Sequence, residues 1–230
     1  MKLADLMLIN EARKQRTKVV TITNLASGDQ NVLFGQDAVN YEASALDLAA
    51  PRPEDSDDLG GQRDSNFTNV YLPNPRIVVI GAVHIAQALA ALARITAFDV
   101  LVIDPRTAFA APERFPDVDI LPEWPEDALR MRGLDQFSAL VALSHDPKID
   151  DYAISLALEQ GCFYVGALGS RKTHAKRLDR LANQGATEAQ LQKIRGPIGL
   201  DIGAKSPAEI AIAILAEVIS AWRRPDGTTS

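Results

Sequence analysis

The 230-residue sequence contains a single cysteine, Cys162, so it lacks the thiols that a disulfide within the chain or a thiolate zinc site needs. It also lacks an excess of positive charge, because 24 Lys and Arg stand against 30 Asp and Glu, a net charge of −6. Since binding to long duplex nucleic acid needs a basic surface, this balance argues against a nucleic-acid partner. No apolar run approaches the roughly 18 residues of a membrane-spanning helix, so no membrane span is predicted.

The N-terminal residues lack the pattern of a secretory signal. Their apolar run is broken by Asp5 and Asn10, and charged residues follow directly. We therefore expect a cytoplasmic protein. With 14 glycines, 13 prolines and 47% hydrophobic residues, the composition is that of a globular protein and excludes collagen-like or low-complexity chains. At about 150 residues per domain, the length predicts one full domain and a smaller piece.

Residues 1–50 are predicted to be the smaller piece, an N-terminal α+β region. An amphipathic helix is expected over residues 2–16, with Leu3, Leu6 and Met7 on its apolar stripe. Two strands and a second helix are expected after it, over Lys18–Leu25, Gln30–Gly35 and residues 38–50.

Residues 51–72 are predicted to be a linker. The stretch from Pro51 to Asn69 holds five acidic residues and two arginines, and its only large apolar residues are Leu59 and Phe67. Such a segment buries too little apolar surface to order itself.

Residues 73–224 are predicted to form a doubly wound parallel sheet of the Rossmann type, an α/β fold, and residues 225–230 a tail. Solid apolar runs, typical of strands that are buried on both faces, alternate here with helical patterns. The expected strands are Arg76–Gly81, Asp99–Asp104, Val118–Leu121, Ala139–Ser144 and Phe163–Ala167. The expected helices are Ile85–Ile95, Asp151–Gln160 with Asp150 as its N-cap, Thr173–Asn183, Thr187–Ile194, and one that begins at Ser206 and ends near Arg223.

The turn after the first of these strands resembles a dinucleotide-binding turn. Gly81 and Ala86 match the pattern G-x-G-x-x-G/A, and the carboxylate of Asp104 follows Gly81 by 23 residues. Val83 stands where the second glycine lets the backbone approach a pyrophosphate, and its β-branched side chain obstructs that approach. We therefore expect weak or no binding of NAD(P) or FAD. The alternative is that Gly81 and Ala86 only allow close helix packing.

Polar residues that follow neighbouring strands are candidates for catalytic or binding roles, because the carboxyl ends of parallel strands meet at one edge of the sheet. His84, His145 and Asp146 are the candidate catalytic residues. Together with Asp104 they could also form a metal cluster, but no pair has helical ligand spacing, and no metal site is predicted. The alternative is that His145 and Asp146 hydrogen-bond the backbone.

Two glycine-rich segments are candidates for binding an anionic cofactor. The first, Gly169-Ser170-Arg171-Lys172, leads into a helix whose N-terminal amides and cations favour phosphate. The second leads into the last helix and holds Gly199, Asp201 and Gly203. A solvated helix face and a structural turn are the respective alternatives. The candidate cofactor-binding residues are Gly81, His84, Asp104, Gly169, Ser170, Arg171, Lys172, Gly199, Asp201 and Gly203.

Four sequence blocks resemble the C-terminal domain of the XdhC/CoxI family, in order and at family-like spacing over about residues 73–222. They are Gly81-Ala-Val-His-Ile-Ala-Gln-Ala-Leu, Ser144-His-Asp-Pro-Lys-Ile-Asp-Asp, Gly166-Ala-Leu-Gly-Ser-Arg-Lys-Thr-His and Gly196-Pro-Ile-Gly-Leu-Asp-Ile-Gly-Ala-Lys-Ser-Pro-Ala-Glu-Ile-Ala. The sequence departs from the family at Val83, usually glycine. It also departs in residues 1–70, which hold no cysteine and no Ser-Gly-Gly-Cys-type motif.

The resemblance implies an accessory factor for molybdenum hydroxylases such as xanthine dehydrogenase or carbon monoxide dehydrogenase. Such a factor binds the molybdenum cofactor (molybdopterin), assists its sulfuration and passes it to the apoenzyme. The implied partners are the hydroxylase apoenzyme, a cofactor sulfurase and a second copy of the chain. Two other functions stay open: an NAD(P)-dependent oxidoreductase with His84 or His145 as proton donor, and an interaction protein that binds no ligand.

Overall fold

The computed structural model describes residues 3–41 and 66–224. The chain divides into two compact units, Met1–Asn74 and Pro75–Ser230. The predicted helix over residues 38–50 is described only as far as residue 41, and residues 42–50 lie outside the described residues. So do most of the predicted linker, residues 51–65, and the predicted tail, residues 225–230.

The first unit is a small α+β structure built on an antiparallel sheet. Its sheet has the order β2-β1-β3, with β1 in the centre. The described elements are α1 (Leu3–Lys14), β1 (Val19–Asn24), β2 (Gln30–Phe34), α2 (helical over residues 35–41) and β3 (Asn66–Tyr71).

The end of the predicted linker differs from the structure, because residues 66–71 form β3. This strand pairs with β1 along its whole length, from Val19 opposite Tyr71 to Asn24 opposite Asn66. Its side chains are mostly exposed, so it carries little of the apolar pattern by which a strand is predicted. Backbone pairing with β1 holds it in place.

The predicted apolar stripe of α1 is also wrong. Ile9 and Ala12 are the buried residues of the helix and pack with Val19 of β1, whereas Leu3 and Met7 are 74% and 66% exposed. Only the second half of α1 meets the sheet, which is why its first apolar residues stay exposed.

The second unit is the doubly wound parallel sheet that the sequence predicts. Its six strands have the order β6-β5-β4-β7-β8-β9, so the order reverses between β4 and β7. The strands are β4 (Arg76–Ile80), β5 (Asp99–Ile103), β6 (Asp119–Leu121), β7 (Ser138–Ala142), β8 (Tyr164–Ala167) and β9 (Ile194–Arg195). The helices are α3 (His84–Ile95), α4 (Pro125–Arg132), α5 (Pro147–Glu159), α6 (Arg171–Asn183), α7 (Glu188–Leu191) and α8 (Pro207–Arg223).

Two apolar cores cover the two faces of this sheet. Helices α3 and α8 pack on one face, around Leu89 and Ile214. Helices α4, α5 and α6 pack on the other, around Leu129, Ile154 and Leu181. The strands are therefore buried on both sides, which explains their unbroken apolar runs.

The helix starts follow the capping rules. Thr187 with Gln190 and Ser206 with Glu209 form capping boxes at the starts of α7 and α8. The N-cap of α5 differs from the prediction, because the Asp146 side chain, and not Asp150, accepts a hydrogen bond from the backbone N–H of Lys148. In the parts of the chain that the structure describes, no helix is long and apolar enough to cross a membrane.

Candidate functional site

The candidate site lies at the carboxyl edge of the parallel sheet, where β4 and β7 are neighbours. Gly81 ends β4 with a φ of +106°, and a Cβ at this residue would stand 2.8 Å from the backbone nitrogen of Ser144. Only glycine allows this approach. The loop after β4 and the loop after β7 therefore touch and form one wall of the edge.

Val83 is the N-cap of α3 and makes no side-chain hydrogen bond to the helix. Its side chain is partly buried and packs against the apolar core between α3 and α8. His84 follows it as the exposed first residue of α3. The β-branched side chain that replaces the second glycine of the dinucleotide pattern therefore contributes to the apolar core.

Asp104, at the end of β5, is fully buried, and this chain's own groups use both of its oxygens. Its carboxylate accepts hydrogen bonds from the backbone N–H of Ala82 at 2.8 Å and of Arg106 at 2.9 Å. The Arg106 guanidinium donates two more, at 2.9 and 2.7 Å. Burial alone would raise the pKa of Asp104, but these hydrogen bonds outweigh it and lower the pKa. The position that binds ribose in dinucleotide enzymes is thus filled by Arg106.

Two arginines that no sequence motif marks flank this edge. The Arg106 guanidinium lies 4.3 Å from the ring centre of Phe109, and the carboxylates of Asp146 and Asp150 attract it. Arg114 donates a hydrogen bond to the carbonyl of Ala82 at 3.1 Å. Arg114 thus holds the loop after β4 directly, and Arg106 acts on it through Asp104, which accepts from the backbone N–H of Ala82.

The loop after β7 carries Ser144, His145 and Asp146. His145 is exposed and takes a φ of +64°, and burial and the charge of Arg177 lower its pKa. The Ser144 hydroxyl donates a hydrogen bond of 2.6 Å to Oδ1 of Asp150. This loop therefore connects the sheet edge to the first turn of α5.

Asp150 is 1% exposed, and its Oδ2 has no hydrogen-bond partner among the described residues. Burial raises its pKa to about 6, with a further rise from the charge of Asp151, against the opposing effects of Ser144 and Arg177. A signal for its burial exists in the sequence, because Asp150 stands on the apolar stripe of α5 three and four residues before Ala153 and Ile154.

Arg177 of α6 is the opposite charge at this place, and it is 2% exposed. Its Nη2 donates to the carbonyl of Leu168 at 3.0 Å, while Nε and Nη1 are buried without a partner among the described residues. The Nδ1 of His174, one turn earlier in α6, is also buried without a hydrogen-bond partner among the described residues, and the ring packs against Gly196. We refer to Asp150, Arg177 and His174 as the buried charge cluster.

The N-terminus of α6 lies at the end of β8, as predicted. The Ser170 side chain caps it by accepting from the backbone N–H of Thr173, and Gly169 has a φ of +141°. Arg171 and Lys172 are exposed in the first turn. These two cations are therefore free to meet an anion at the helix N-terminus.

The loop with Gly199, Asp201 and Gly203 is anchored to α8. The Gly199 N–H and the Tyr164 hydroxyl donate to the same oxygen of Glu217, at 2.7 and 2.6 Å, and burial and Glu217 raise the pKa of Tyr164. Asp201 and Gly203 are exposed. Within the described residues, the contacts that hold this loop run to α8 and β8 and not to Arg171.

The described residues hold no metal-binding group, and a cavity that they contain lies away from the sheet edge. Within residues 3–41 and 66–224, no three His, Cys, Asp or Glu side chains are grouped closely enough to hold a metal ion. A cavity of about 320 Å³ opens at the opposite end of β8, beside Cys162, Lys193 and Arg195. Burial, aided by the charge of Asp135, raises the pKa of Cys162 to about 12, so its thiol stays protonated.

The family profile of the XdhC Rossmann domain matches residues 77–218, which run from β4 to α8. Three curated relatives match as well. An uncharacterized Escherichia coli protein, YqeB, is 32% identical over 74% of this chain and 31% of its own length. A Bacillus subtilis protein described as a probable subunit of xanthine dehydrogenase is 33% identical, over 68% of this chain and 47% of its own. The molybdenum cofactor insertion chaperone PaoD of Escherichia coli is 30% identical, over 68% and 43%.

A solved structure supports the fold. A crystal structure described as a xanthine dehydrogenase from Bacillus halodurans superposes with a TM-score of 0.68 at 21% sequence identity. The match covers 99% of this chain and 66% of that chain. The chain thus spans about a third to a half of the length of the curated relatives it matches.

Proposed function

The chain belongs to the XdhC Rossmann-domain family, and from that premise we propose that it is an accessory factor in the maturation of a molybdenum hydroxylase. It binds the molybdenum cofactor at the carboxyl edge of the sheet in its second unit and assists its sulfuration or insertion. The observation that carries the proposal is that the family match, residues 77–218, includes every residue of this edge. The name of one relative, a molybdenum cofactor insertion chaperone, supports the same function.

The residues at the edge fit a phosphate-bearing cofactor. Arg171 and Lys172 stand exposed at the N-terminus of α6, where helix amides and positive charge favour a phosphate. Gly169 and Ser170 supply the backbone beside them. The buried charge cluster adds polar atoms without partners among the described residues, and buried polar atoms of this kind are ordinarily satisfied.

Five of the candidate residues have roles other than direct contact with the phosphate in this proposal. Asp104 acts by holding Arg106 at the edge, since the chain already uses its oxygens. Gly81 acts by letting the loops after β4 and β7 meet. Asp201, exposed on a loop anchored to α8, belongs to the rim together with Gly199 and Gly203.

The cofactor supplies redox chemistry to the client enzyme, while this chain's residues bind, orient and release it without turnover of their own. An NAD(P)-dependent oxidoreductase is the less favoured function. Val83 stands in place of the close-approach glycine of the turn, and Arg106 pairs with Asp104, the carboxylate that would bind ribose. His84 and His145 are exposed, and under this proposal neither needs to transfer a proton.

The proposed partners follow from the function. They are the apoenzyme of a molybdenum hydroxylase, a cofactor sulfurase and a second copy of this chain, met in the cytoplasm. Exposed apolar side chains near the N-terminus of α8, among them Leu200, Ile202 and Ile212, are available for such contacts.

Deletion of the gene should leave the client hydroxylase synthesised but inactive, because apoenzyme accumulates without inserted cofactor. The measurement is hydroxylase activity and molybdenum content per mole of purified enzyme, with the deletion complemented by the wild-type gene as control. Normal activity and molybdenum content in a strain without a paralogue would refute the proposed function.

Replacing Arg171 with Ala should weaken phosphate-bearing ligands about 10- to 100-fold, because a charged hydrogen bond contributes about 1.5–3 kcal/mol. Calorimetric titration with the isolated molybdenum cofactor and with GMP measures the change. Lys176→Ala is the matched control, since it removes an exposed cation of the same helix beyond its first turn. Equal losses in both variants would show that only the general charge of α6 matters.

A further inference from the structure

The cavity of about 320 Å³ at the amino end of β8 lies at the opposite end of that strand from the candidate site. We call it the basal cavity. Residues of the second unit alone line it, from the end of α5, the start of β8, the strand β9 and its flank, and the end of α8. Its volume is at the lower end of the range for small-molecule sites, roughly 300–1,000 Å³, so it suits a small ligand.

The buried part of the lining is mainly apolar. Ala157 and Leu158 of α5 and Val165 of β8 are all buried and belong to the apolar core on that face of the sheet. The ring of Phe163 also lines the cavity, and its position is fixed by Trp222, whose ring centre lies 5.0 Å away. The inner wall of the basal cavity therefore offers hydrocarbon and aromatic surface to a ligand.

The exposed part of the lining carries positive charge. Lys193, Arg195 and Arg224 are exposed and line the cavity, and no aspartate or glutamate among the described residues lines it. Within residues 3–41 and 66–224, none of the three side chains makes a hydrogen bond or an ion pair. Burial and Glu217 raise the pKa of Tyr164 and Arg195 opposes them, so the charge of Arg195 lies near this tyrosine of the wall.

The polar side chains of the lining restrict the ligand's chemistry, because they are donors. Lysine and arginine have no acceptor atom. The Tyr164 hydroxyl already donates its proton to Glu217 at 2.6 Å, and the Cys162 thiol stays protonated. A cationic ligand would be repelled by the three charges, whereas a carboxylate or a phosphate accepts hydrogen bonds and carries the opposite charge. The apolar wall favours a ligand whose acid group is attached to a short apolar body.

We propose that the basal cavity is a second binding site, which takes a small amphipathic organic anion. Lys193, Arg195 and Arg224 bind its acid group, and its apolar body lies against the inner wall. Carboxylic acids and phosphate esters share the chemistry that these residues recognise. The proposal does not depend on the proposed function, because the site at the N-terminus of α6 follows the other end of β8 and uses other cations.

A purely structural role for these cations makes a different prediction. Helices α5 and α8 both end beside the cavity, and the carbonyl groups at a helix C-terminus attract positive charge. In that case Arg223, in the last turn of α8, and Arg224, which follows it, would act alike, and no ligand would be needed. Arg223 is also exposed but does not line the cavity, so it is the matched control for Arg224.

The test is calorimetric titration of the full chain with hexanoate, hexyl phosphate, hexanol and hexylammonium. We expect wild type to bind at least one of the two anions with a Kd below about 1 mM, and the neutral and cationic probes at least tenfold more weakly. The tighter anion identifies the preferred acid group. Arg195→Gln and Arg224→Gln should each weaken its binding about tenfold, because each removes a charged hydrogen bond. Arg223→Gln should keep the wild-type affinity.

A further variant, Ala221→Phe, places a ring in the cavity from α8 and should abolish binding of the anion while both arginines remain. Thermal unfolding of each variant checks the fold, and Arg195→Gln changes only an exposed side chain.

The proposal is overturned if wild type binds neither anion at concentrations up to about 10 mM, or binds hexanol as tightly as the anions. It is also overturned if Arg223→Gln loses as much affinity as Arg224→Gln, or if Ala221→Phe and Arg195→Gln bind like wild type. Loss of anion binding in Arg171→Ala, with normal binding in Arg195→Gln, would place the ligand at the N-terminus of α6 instead.

Discussion

Replacing Asp150 with Asn should raise the stability of the ligand-free protein at pH 8 by about 2–3 kcal/mol, since a shift of one pKa unit corresponds to about 1.4 kcal/mol. The pKa of Asp150 lies near 6 in the folded chain, against an ordinary value of 3.8, mainly because of burial. The folded state therefore binds this proton more tightly than the unfolded state does. The stability that the proton contributes is complete below about pH 4 and is lost as the pH rises through 6. Asparagine has nearly the same shape as aspartate but carries no charge, so the variant does not bury a charge at any pH.

The measurement is urea unfolding of wild type and Asp150→Asn between pH 4 and 8. The difference between the two proteins should grow with pH across this range. We compare the two proteins at each pH, because Asp104 is present in both and has a lowered pKa, so it makes both less stable at acid pH. Asp151→Asn is the control and should be mildly destabilising, since it breaks the pair with Arg180. If Asp150→Asn destabilises the protein at every pH, Asp150 has a structural role and its buried charge costs nothing.

The parts of the fold that the sequence predicts are those in which burial repeats along an element. Strands β4 and β7 are covered on both faces, so apolar residues are continuous in them and their position is plain. Helix α8 combines a capping box with a long apolar pattern, and both appear in the sequence. By contrast, β3 is held by pairing with β1 and shows almost no burial, so no local pattern marks it.

The edge of the sheet could be predicted because parallel strands deliver their next residues to the same side. Gly81, Asp104 and Ser170 lie where this rule places them. The buried charge cluster lies within the first two turns of α5 and α6, where polar residues ordinarily face solvent. The apolar stripe of α5 marks Asp150 as a candidate for burial, whereas the burial of Arg177 depends on how α5 and α6 pack against each other, which the pattern within one helix does not fix.

The sequence holds a signal that decides between Asp146 and Asp150 as the N-cap of α5. Both are aspartates close to the start of the apolar pattern, and both satisfy the preference for a capping carboxylate. Pro147, at the first helical position, favours Asp146, because proline is suited to that position and has no N–H to offer. With Asp146 as the cap, Asp150 falls in the first turn of α5, where its buried carboxylate accepts a hydrogen bond from Ser144.

Replacing Gly81 with Ala should destabilise the second unit by about 3–5 kcal/mol, the sum of a strained backbone and an overpacked contact. The φ of +106° disfavours any L side chain, and the added Cβ would lie 2.8 Å from the nitrogen and 3.0 Å from the Cα of Ser144. Both are backbone atoms, so no flexible side chain can yield. Relief requires the loops after β4 and β7 to separate, which moves Ser144 and with it the hydrogen bond to Asp150. Because these loops line the edge at which we propose that phosphate-bearing ligands bind, binding of GMP should fall together with stability.

Urea unfolding and GMP titration of Gly81→Ala measure the two effects, and Gly133→Ala provides the matched control. Gly133 ends α4 with a φ of +60° and a ψ of 164° and has no atom within 4 Å of an added Cβ, so alanine there carries only the cost of a strained backbone, about 1–3 kcal/mol. The excess loss at Gly81 isolates the contact between the two loops. If the two variants lose equal stability, the loops separate without cost, and the wall that they form is not part of a rigid binding edge.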